Sequence, residues 1–432
     1  MSTQAKTVAF HTLGCKLNFS ETSTISRDFV QHGFEKVDYR EKADIYVINT
    51  CSVTENADKE ARKLIRQAKR RNPDSSVAII GCYAQLKPNE IAGIDGVDMV
   101  LGSAEKFNIL DHLDKMAMGQ DTTILNSSID IVNDFRPSFS VGDRTRSYLK
   151  VQDGCDYTCS FCTIPLARGR SRSANITSTI KMARQVVDQG AKEIVLTGVN
   201  VGDYGKGTDE TFQDLLAELD KLHKVKRIRI SSIEPNLLNE GIIEFCHLSN
   251  LFMPHYHVPL QSGSNKTLRA MRRRYDRDLY RSRVELIRLL EPDACIGADV
   301  IVGFPGESDD DFIESLHFID ELKISYLHVF TYSERANTHA INFEYKVDKK
   351  IRSKRSSILR NFSKKILEAH QNKFIKSSRP VLFEYLKNDK TIGYTDNYIK
   401  VAVEADHSII NTIQNVKLVS AHRDYINGEL IN

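Results

Sequence analysis

Asp153-Gly154-Cys155-Asp156-Tyr157-Thr158-Cys159-Ser160-Phe161-Cys162 sets three cysteines at C-x3-C-x2-C spacing within a 432-residue chain. Three thiolates so spaced can hold three irons of a [4Fe-4S] cube and leave the fourth iron open to a small molecule. Ligation by four thiolates, as in electron carriers, needs another cysteine close by. The next one, Cys246, lies far along the chain among apolar residues. Zinc is the alternative these residues leave open, although three cysteines with no neighbouring histidine or fourth cysteine make a poor closed zinc shell.

Working outward, residues 1–120 read as repeated strand–helix units. The runs 8–13, 44–49 and 77–80 are apolar-rich and strand-sized, and they lead into Gly14-Cys15, Thr50-Cys51 and Gly81-Cys82. The segments 21–32 and 57–71 have helical character, so the strands are expected to lie parallel in one sheet. Open α/β sheets place their sites at the shared carboxyl edge, and Cys15, Cys51 and Cys82 therefore converge there as a second set of three thiolates. Three unrelated core thiols are the competing reading, because free cysteine commonly packs as a small hydrophobe. Cys246 and Cys295 are assigned to that packing role.

A connector at 121–144 leads to six strand-and-helix units, with strands at 148–152, 193–198, 227–233, 255–260, 295–302 and 326–332. Six units fall short of the eight that close a complete barrel. The region 145–375 is accordingly expected to be an open (β/α)6 partial barrel with a lateral mouth wide enough for a macromolecule. Short alternating strands with Gly and Asp/Asn turns over 376–432 predict a small C-terminal β-barrel. The fold class expected is α/β, in three domains, as the length also implies.

Charge is nearly balanced, with 60 Lys and Arg against 57 Asp and Glu, so nucleic-acid binding must come from local segments. Leu268 to Leu290 carries eight arginines, including Arg272 and Arg273. Lys346 to Lys376 carries eleven basic residues, among them Lys349, Lys350, Arg352 and Lys354, against two acidic ones. Its apolar residues at 351, 358, 359, 362, 366 and 369 have helical spacing, which makes it a basic amphipathic helix suited to phosphate neutralisation, or else a solvated surface helix. Arg168, Arg170 and Arg172 add charge directly after the central cysteines and favour an anionic polymer near them. The polar start and the lack of any membrane-length apolar segment predict a cytoplasmic protein with no membrane partner. Eight cysteines without secretory features point to metal ligation in a reducing compartment.

The motif Cys155-Asp156-Tyr157-Thr158-Cys159-Ser160-Phe161-Cys162-Thr163-Ile164-Pro165-Leu166-Ala167-Arg168-Gly169 resembles the methylthiotransferase branch of the radical S-adenosylmethionine (SAM) enzymes. Thr12-Leu13-Gly14-Cys15-Lys16-Leu17-Asn18 and Asn49-Thr50-Cys51-Ser52-Val53-Thr54 are similar to that family's amino-terminal domain, and the C-terminal segment resembles a TRAM domain. The TRAM likeness departs in charge, since seven basic residues over 376–432 are matched by seven acidic ones.

The resemblance implies two [4Fe-4S] clusters. One, on Cys155, Cys159 and Cys162, binds and reductively cleaves SAM; the other, auxiliary, on Cys15, Cys51 and Cys82, presents the methylated sulfur. It further implies SAM contacts from Thr197, Gly198 and Asn200, from Ser232 and Glu234, and from Gly303. The substrate it implies is the N6-threonylcarbamoyladenosine at tRNA position 37, the MtaB-type reaction. Partners are then a tRNA anticodon stem-loop, a reducing electron donor and a sulfur source. Isopentenyladenosine in tRNA, a ribosomal-protein aspartate, and a non-enzymatic iron–sulfur RNA-binding protein are the alternatives.

Overall fold

Every residue of the strand Ile45–Thr50 is buried, as a parallel strand covered by helices on both faces requires. It is central to the first of two compact units in a computed structural model that describes residues 5–52, 55–116, 121–142 and 145–431. Val53 and Thr54 of the second family-like motif, the connector residues 143–144 and the polar start up to residue 4 lie outside the described residues. The first unit comprises Met1–Ser140, Tyr148–Thr158 and Cys162–Ala174; the second comprises Val141–Ser147, Cys159–Phe161 and Asn175–Asn432.

In the first unit, β1 (Thr7–Thr12), β2 (Glu35–Val37), β3 (Ile45–Thr50), β4 (Ser76–Gly81), β5 (Met99–Leu101) and β6 (Thr123–Leu125) form a parallel sheet in the order β2-β1-β3-β4-β5-β6. Alternate residues of β3 serve opposite faces. Tyr46 and Ile48 pack with Ala61, Leu64 and Ile65 of α2 (Glu55–Arg71), while Ile45 and Val47 pack with Ile25 and Phe29 of α1 (Lys16–Gln31). Two short helices, α3 (Cys82–Leu86) and α4 (Pro88–Ala92), follow β4. The expected connector is partly sheet: β6 extends the first sheet, and β7 (Ser138–Phe139) pairs with Leu149 and Lys150 of β8 (Arg146–Lys150). These strands are too short to show an alternation pattern. The antiparallel pair β9 (Gln152–Asp153) and β10 (Arg172–Ser173) ties together the ends of the segment that holds the central cysteines and α5 (Ile164–Arg168).

The second unit carries the other expected barrel strands. β11 (Glu193–Thr197) pairs in parallel with β12 (Arg227–Ile230), and β13 (His255–His257), β14 (Cys295–Val302) and β15 (Tyr326–Thr331) continue in parallel. Parallel bridges Ile228↔Phe252 and Ser232↔His257 join the two groups. The crossovers use α6 (Ile176–Asp188), α7 (Phe212–Leu219), α8 (Glu240–Leu248), α9 (Asn265–Ala270), α10 (Arg277–Leu290) and α11 (Asp309–Glu321). Asn175, Thr211, Asn239, Asp276 and Ser308 cap α6, α7, α8, α10 and α11 with side-chain oxygens, which fixes where those helices begin. Helix α12 (Lys349–Asn372) then leads to a closed barrel of β16 (Ser378–Lys387), β17 (Lys390–Thr395), β18 (Lys400–Val403), β19 (Ile413–Ala421) and β20 (Ile426–Leu430), in the order β16-β17-β18-β20-β19. The sequence reading found four of these five strands. In β20, Asn427-Gly428 interrupts the apolar alternation, because Gly428 lies where a side chain would collide with Val416.

Candidate functional site

Cys15, Cys51 and Cys82 follow three neighbouring strands of the first sheet, in register through Thr12↔Asn49 and Thr50↔Gly81. Cys15 is the N-cap of α1 and exposed, Cys51 directly follows β3, and Cys82 opens α3 and is buried. The β1 exit bends at Gly14 (φ +100°), where a Cβ would lie 2.7 Å from Cys51 Cβ, so only glycine lets the two loops close together. Asn18 locks them by donating from Nδ2 to Leu13 O (2.8 Å) and Thr50 O (3.2 Å).

Beneath this edge of the first unit lies a buried charge network. Glu21 accepts from Lys106 (2.7 Å), Lys150 (3.0 Å) and Arg168 (3.0 Å), while Asp153 pairs with Lys150 (2.8 Å), Arg168 (2.9 Å) and Arg172 (3.2 Å). Arg168 also donates to Asn18 Oδ1 at 2.5 Å. Burial pushes the Cys82 thiol up, and Arg168 and Lys106 pull against it. Two carboxylates against four cations leave positive charge beside the thiols, which suits a negatively charged thiolate-held cluster.

The central cysteines lie on the irregular segment between β9 and α5, and each is half-buried. Gly154 (φ +72°) starts the segment with a backbone that a Cβ would drive to 1.9 Å from Arg170 O. All three sulfurs receive donors: Tyr157 N–H to Cys155 Sγ (3.4 Å), Arg273 Nη1 to Cys159 Sγ (2.9 Å) and Ile164 N–H to Cys162 Sγ (3.4 Å). Donors aimed at sulfur are what iron-bound thiolates take up, so this set fits [4Fe-4S] ligation. Burial pushes the Cys159 thiol up, and Arg273 counteracts it.

The expected SAM contacts divide into two groups. Gly198 is half-buried at the end of β11 beside the buried Thr197, and Asn200 caps a short turn and donates to Asp203 (3.1 Å). Glu234 is ion-paired with Arg273. Ser232 Oγ meets His257 Nδ1 at 2.8 Å, and Gly303 packs against Arg352, whose Cγ would sit 2.2 Å from an added Cβ.

Several RNA-facing arginines are corrected. Arg168 belongs to the buried network, Arg172 to Asp153, and Arg273 to Glu234 and Cys159. Arg352 is buried and pairs with Glu334 (2.6 Å). Arg170, Arg272, Lys349, Lys350 and Lys354 are exposed, as a phosphate contact requires. The sequence reading missed Glu21, Lys106, Lys150 and Asp153, and it took Arg273 for a surface residue. The visible signal was the run Arg272-Arg273-Arg274, in which three adjacent side chains cannot all face the same way; here the outer two are exposed and the middle one is turned in.

Two family descriptions match the chain: "Uncharacterized protein family UPF0004" over residues 7–102 and "Radical SAM superfamily" over residues 149–319. The threonylcarbamoyladenosine tRNA methylthiotransferase MtaB of Bacillus subtilis is 40% identical, covering 98% of this chain and 96% of that protein. The MtaB of Thermotoga maritima is 33% identical over 98% and 99%. The tRNA-2-methylthio-N(6)-dimethylallyladenosine synthase of Sulfurimonas denitrificans is 32% identical over 99% of both. Among solved structures, the radical S-adenosylmethionine methyltransferase TsrM from Kitasatospora setae, with cobalamin and a [4Fe-4S] cluster bound, shares the fold at 14% identity, with a TM-score of 0.57 over 78% of this chain and 77% of that one. The chain thus belongs to the radical SAM tRNA methylthiotransferases, transferases that work with [4Fe-4S] clusters and SAM.

Proposed function

We propose that this enzyme converts N6-threonylcarbamoyladenosine at position 37 of a tRNA anticodon stem-loop to its 2-methylthio derivative, with Cys155, Cys159 and Cys162 holding the SAM-binding cluster and Cys15, Cys51 and Cys82 the auxiliary one. The observation that carries the division into two clusters is the pair of three-cysteine sets, one on adjacent strand ends of a parallel sheet and one on a segment where every sulfur has a donor. The substrate reading draws on the names of relatives 33–40% identical over nearly the whole chain. SAM bound at a reduced cluster supplies the one-electron chemistry that an unactivated aromatic C–H bond demands. The protein's own contribution is positioning. Arg273 holds Cys159 and Glu234 together, and Glu234, four residues beyond β12, is the carboxylate we assign to a ribose hydroxyl of SAM. Gly198 and Asn200 are the residues we assign to the SAM amino group. Exposed lysines of α12 and Arg170 hold tRNA phosphates. The reaction further needs an external electron donor and a sulfur source, and is placed in the cytoplasm. No helix of the described residues is long and apolar enough to cross a membrane.

Anaerobically reconstituted protein tests the assignment. Cys159→Ala is expected to abolish 5′-deoxyadenosine formation, whereas Cys51→Ala retains part of it and ends sulfur insertion. Iron and sulfide contents that account for a single cluster in the wild type overturn the two-site assignment. Nucleoside mass spectrometry of tRNA from a deletion strain decides the substrate. Loss of 2-methylthio-isopentenyladenosine, with the threonylcarbamoyl derivative intact, overturns it.

A further inference from the structure

His257, Asp299 and His328 meet on one face of the sheet β13-β14-β15 in the second unit, and none of the roles above uses them. Asp299 and His328 are register partners in β14 and β15. His257 pairs with Gly297, two residues before Asp299, so strand alternation turns all three side chains to the same face. His257 Nε2 lies 3.2 Å from Asp299 Oδ1, His328 Nδ1 lies 3.1 Å from the same oxygen, and the two ring nitrogens are 3.2 Å apart. Protons satisfy such a triangle badly. A neutral histidine carries one N–H, so however the protons are placed, one edge sets two lone pairs or two N–H groups against each other. A cation above the triangle meets all three lone pairs at once. With bonds of about 2.0–2.1 Å, a tetrahedral ion holds its ligand atoms about 3.3–3.4 Å apart and an octahedral one about 2.8–3.0 Å apart. The three edges fall between these values, so the side chains already stand at ligation distance.

The surroundings of the triangle fit a metal as well. His257 Nδ1 meets Ser232 Oγ at 2.8 Å. When Nδ1–H donates to that hydroxyl, Nε2 is left as a lone pair turned into the triangle, which is how an outer hydrogen bond orients a metal-binding histidine. Exposure is graded across the set. The His257 side chain is 8% exposed and Asp299 21%, whereas His328 is 55% exposed. The deep ring is thus held on Ser232, and the set opens to solvent on the His328 side, where an ion can enter.

We propose that His257 Nε2, His328 Nδ1 and Asp299 Oδ1 bind one divalent transition-metal ion, separate from the iron–sulfur clusters. Two imidazoles and a carboxylate are the ligand set of a facial triad, which suits zinc or iron(II), whereas the clusters are held by thiolates. A closed structural site uses four protein ligands. Three of them occupy one side of the ion and leave positions for water or another oxygen donor, so the site is exchangeable rather than a staple.

Zinc is the probe, because it is redox-inert and iron is already the metal of the clusters. Anaerobically reconstituted wild type, His328→Phe, Asp299→Asn and Ser232→Ala are dialysed against zinc chloride, and zinc, iron and sulfide are then measured per chain. The wild type is expected to retain one zinc more than His328→Phe and Asp299→Asn, at equal iron and sulfide, with an X-ray absorption shell of nitrogen and oxygen at about 2.0–2.1 Å. Ser232→Ala, which keeps all three ligands, should weaken zinc binding by roughly 10- to 100-fold. Zinc should also raise the melting temperature of the wild type and leave that of His328→Phe unmoved. His328 is the safest ligand to remove because it is the most exposed; if His328→Phe nevertheless loads less iron, the Ser232→Ala affinity decides. One iron more in the wild type than in His328→Phe, with no zinc taken up, supports the same ligand set with iron in place. Zinc bound equally by wild type and variants, zinc with a sulfur shell at about 2.3 Å, or no extra metal of either kind overturns the proposal.

Discussion

Glu21 is the residue on which the first unit's buried charge balance turns. It is fully buried, and three cations reach it: Lys106, Lys150 and Arg168. Burial drives its carboxyl upward, yet Arg168, Lys106 and Lys150 overcome this and hold it far below the ordinary 4.5. Removing the charge leaves buried cations facing Asp153 alone, so Glu21→Gln is expected to cost about 3–5 kcal/mol, read by urea unfolding. The pH dependence has a definite sign. A carboxylate depressed in the folded state stabilises above its unfolded value and loses that contribution as pH falls below about 4.5 toward the folded value. The gap between wild type and Glu21→Gln should therefore narrow from pH 5 to pH 3; a constant gap would mean that the network acts through packing alone. None of this was legible in the sequence, where Arg168 and Glu21 are 147 positions apart. The two cysteine sets were legible because one is written in local spacing and the other in strand ends that topology must align.

Helix α12 shows what element-level patterning captures and what it misses. A basic helix was read within 346–376 and runs over Lys349–Asn372, but its buried face follows the apolar stripe at 351, 358, 359, 362, 366 and 369 only in part. Arg352, Arg355, Ser356 and Leu359 point inward, while Ile351 and Ile358 remain 43% and 37% exposed. The reason is ionic. Arg355 reaches Glu307 (2.6 Å) and Asp309 (2.7 Å), Arg352 reaches Glu334, and paired arginines bury their long stems as readily as apolar side chains do. Helix α10 is spent similarly, since Arg277, Arg281 and Arg283 pair with Glu314, Glu321 and Glu240. For the proposed RNA contact this helix keeps exposed cations that include Lys350, Lys354, Arg360, Lys364 and Lys365, which extend over roughly 22 Å at 1.5 Å per residue. Replacing Lys350, Lys354 and Lys364 by alanine should weaken tRNA binding and reduce the log–log salt slope by about 0.7 to 0.9 per lost phosphate contact, with melting unchanged. Arg352→Ala should instead lower the melting temperature. An unaltered salt slope in the lysine variant returns α12 to a solvated surface helix.

At the scale of the whole second unit, the C-terminal barrel behaves as a part of the enzyme core, although its sequence reads as a separable module with balanced charge. Arg229 pairs with Glu193 (2.9 Å) and donates to Thr395 O (2.8 Å) and Asp396 O (2.7 Å), and Arg227 donates to Pro380 O (2.7 Å) and Tyr394 O (3.0 Å). Tyr398 stacks on His255 with ring centroids 4.0 Å apart, and Arg146 pairs with Glu384 at 2.5 Å. Short alternating strands made the small barrel recognisable, but nothing in them announces that its turns receive arginines from β12, because the receiving groups are backbone carbonyls that any residue type supplies. Removing the barrel strips two buried guanidinium groups of four carbonyl partners and leaves them beside one buried carboxylate, Glu193. Unpaired buried charge is among the most costly defects a fold can carry. A chain ending at residue 375 is therefore expected to give little soluble protein and no cooperative melting, and Arg229→Ala in the full chain to lose about 3 kcal/mol or more of stability. A truncated protein that melts as sharply and as high as the full chain would show that these arginines rehydrate without penalty, and that the barrel is the detachable RNA module its sequence resembles.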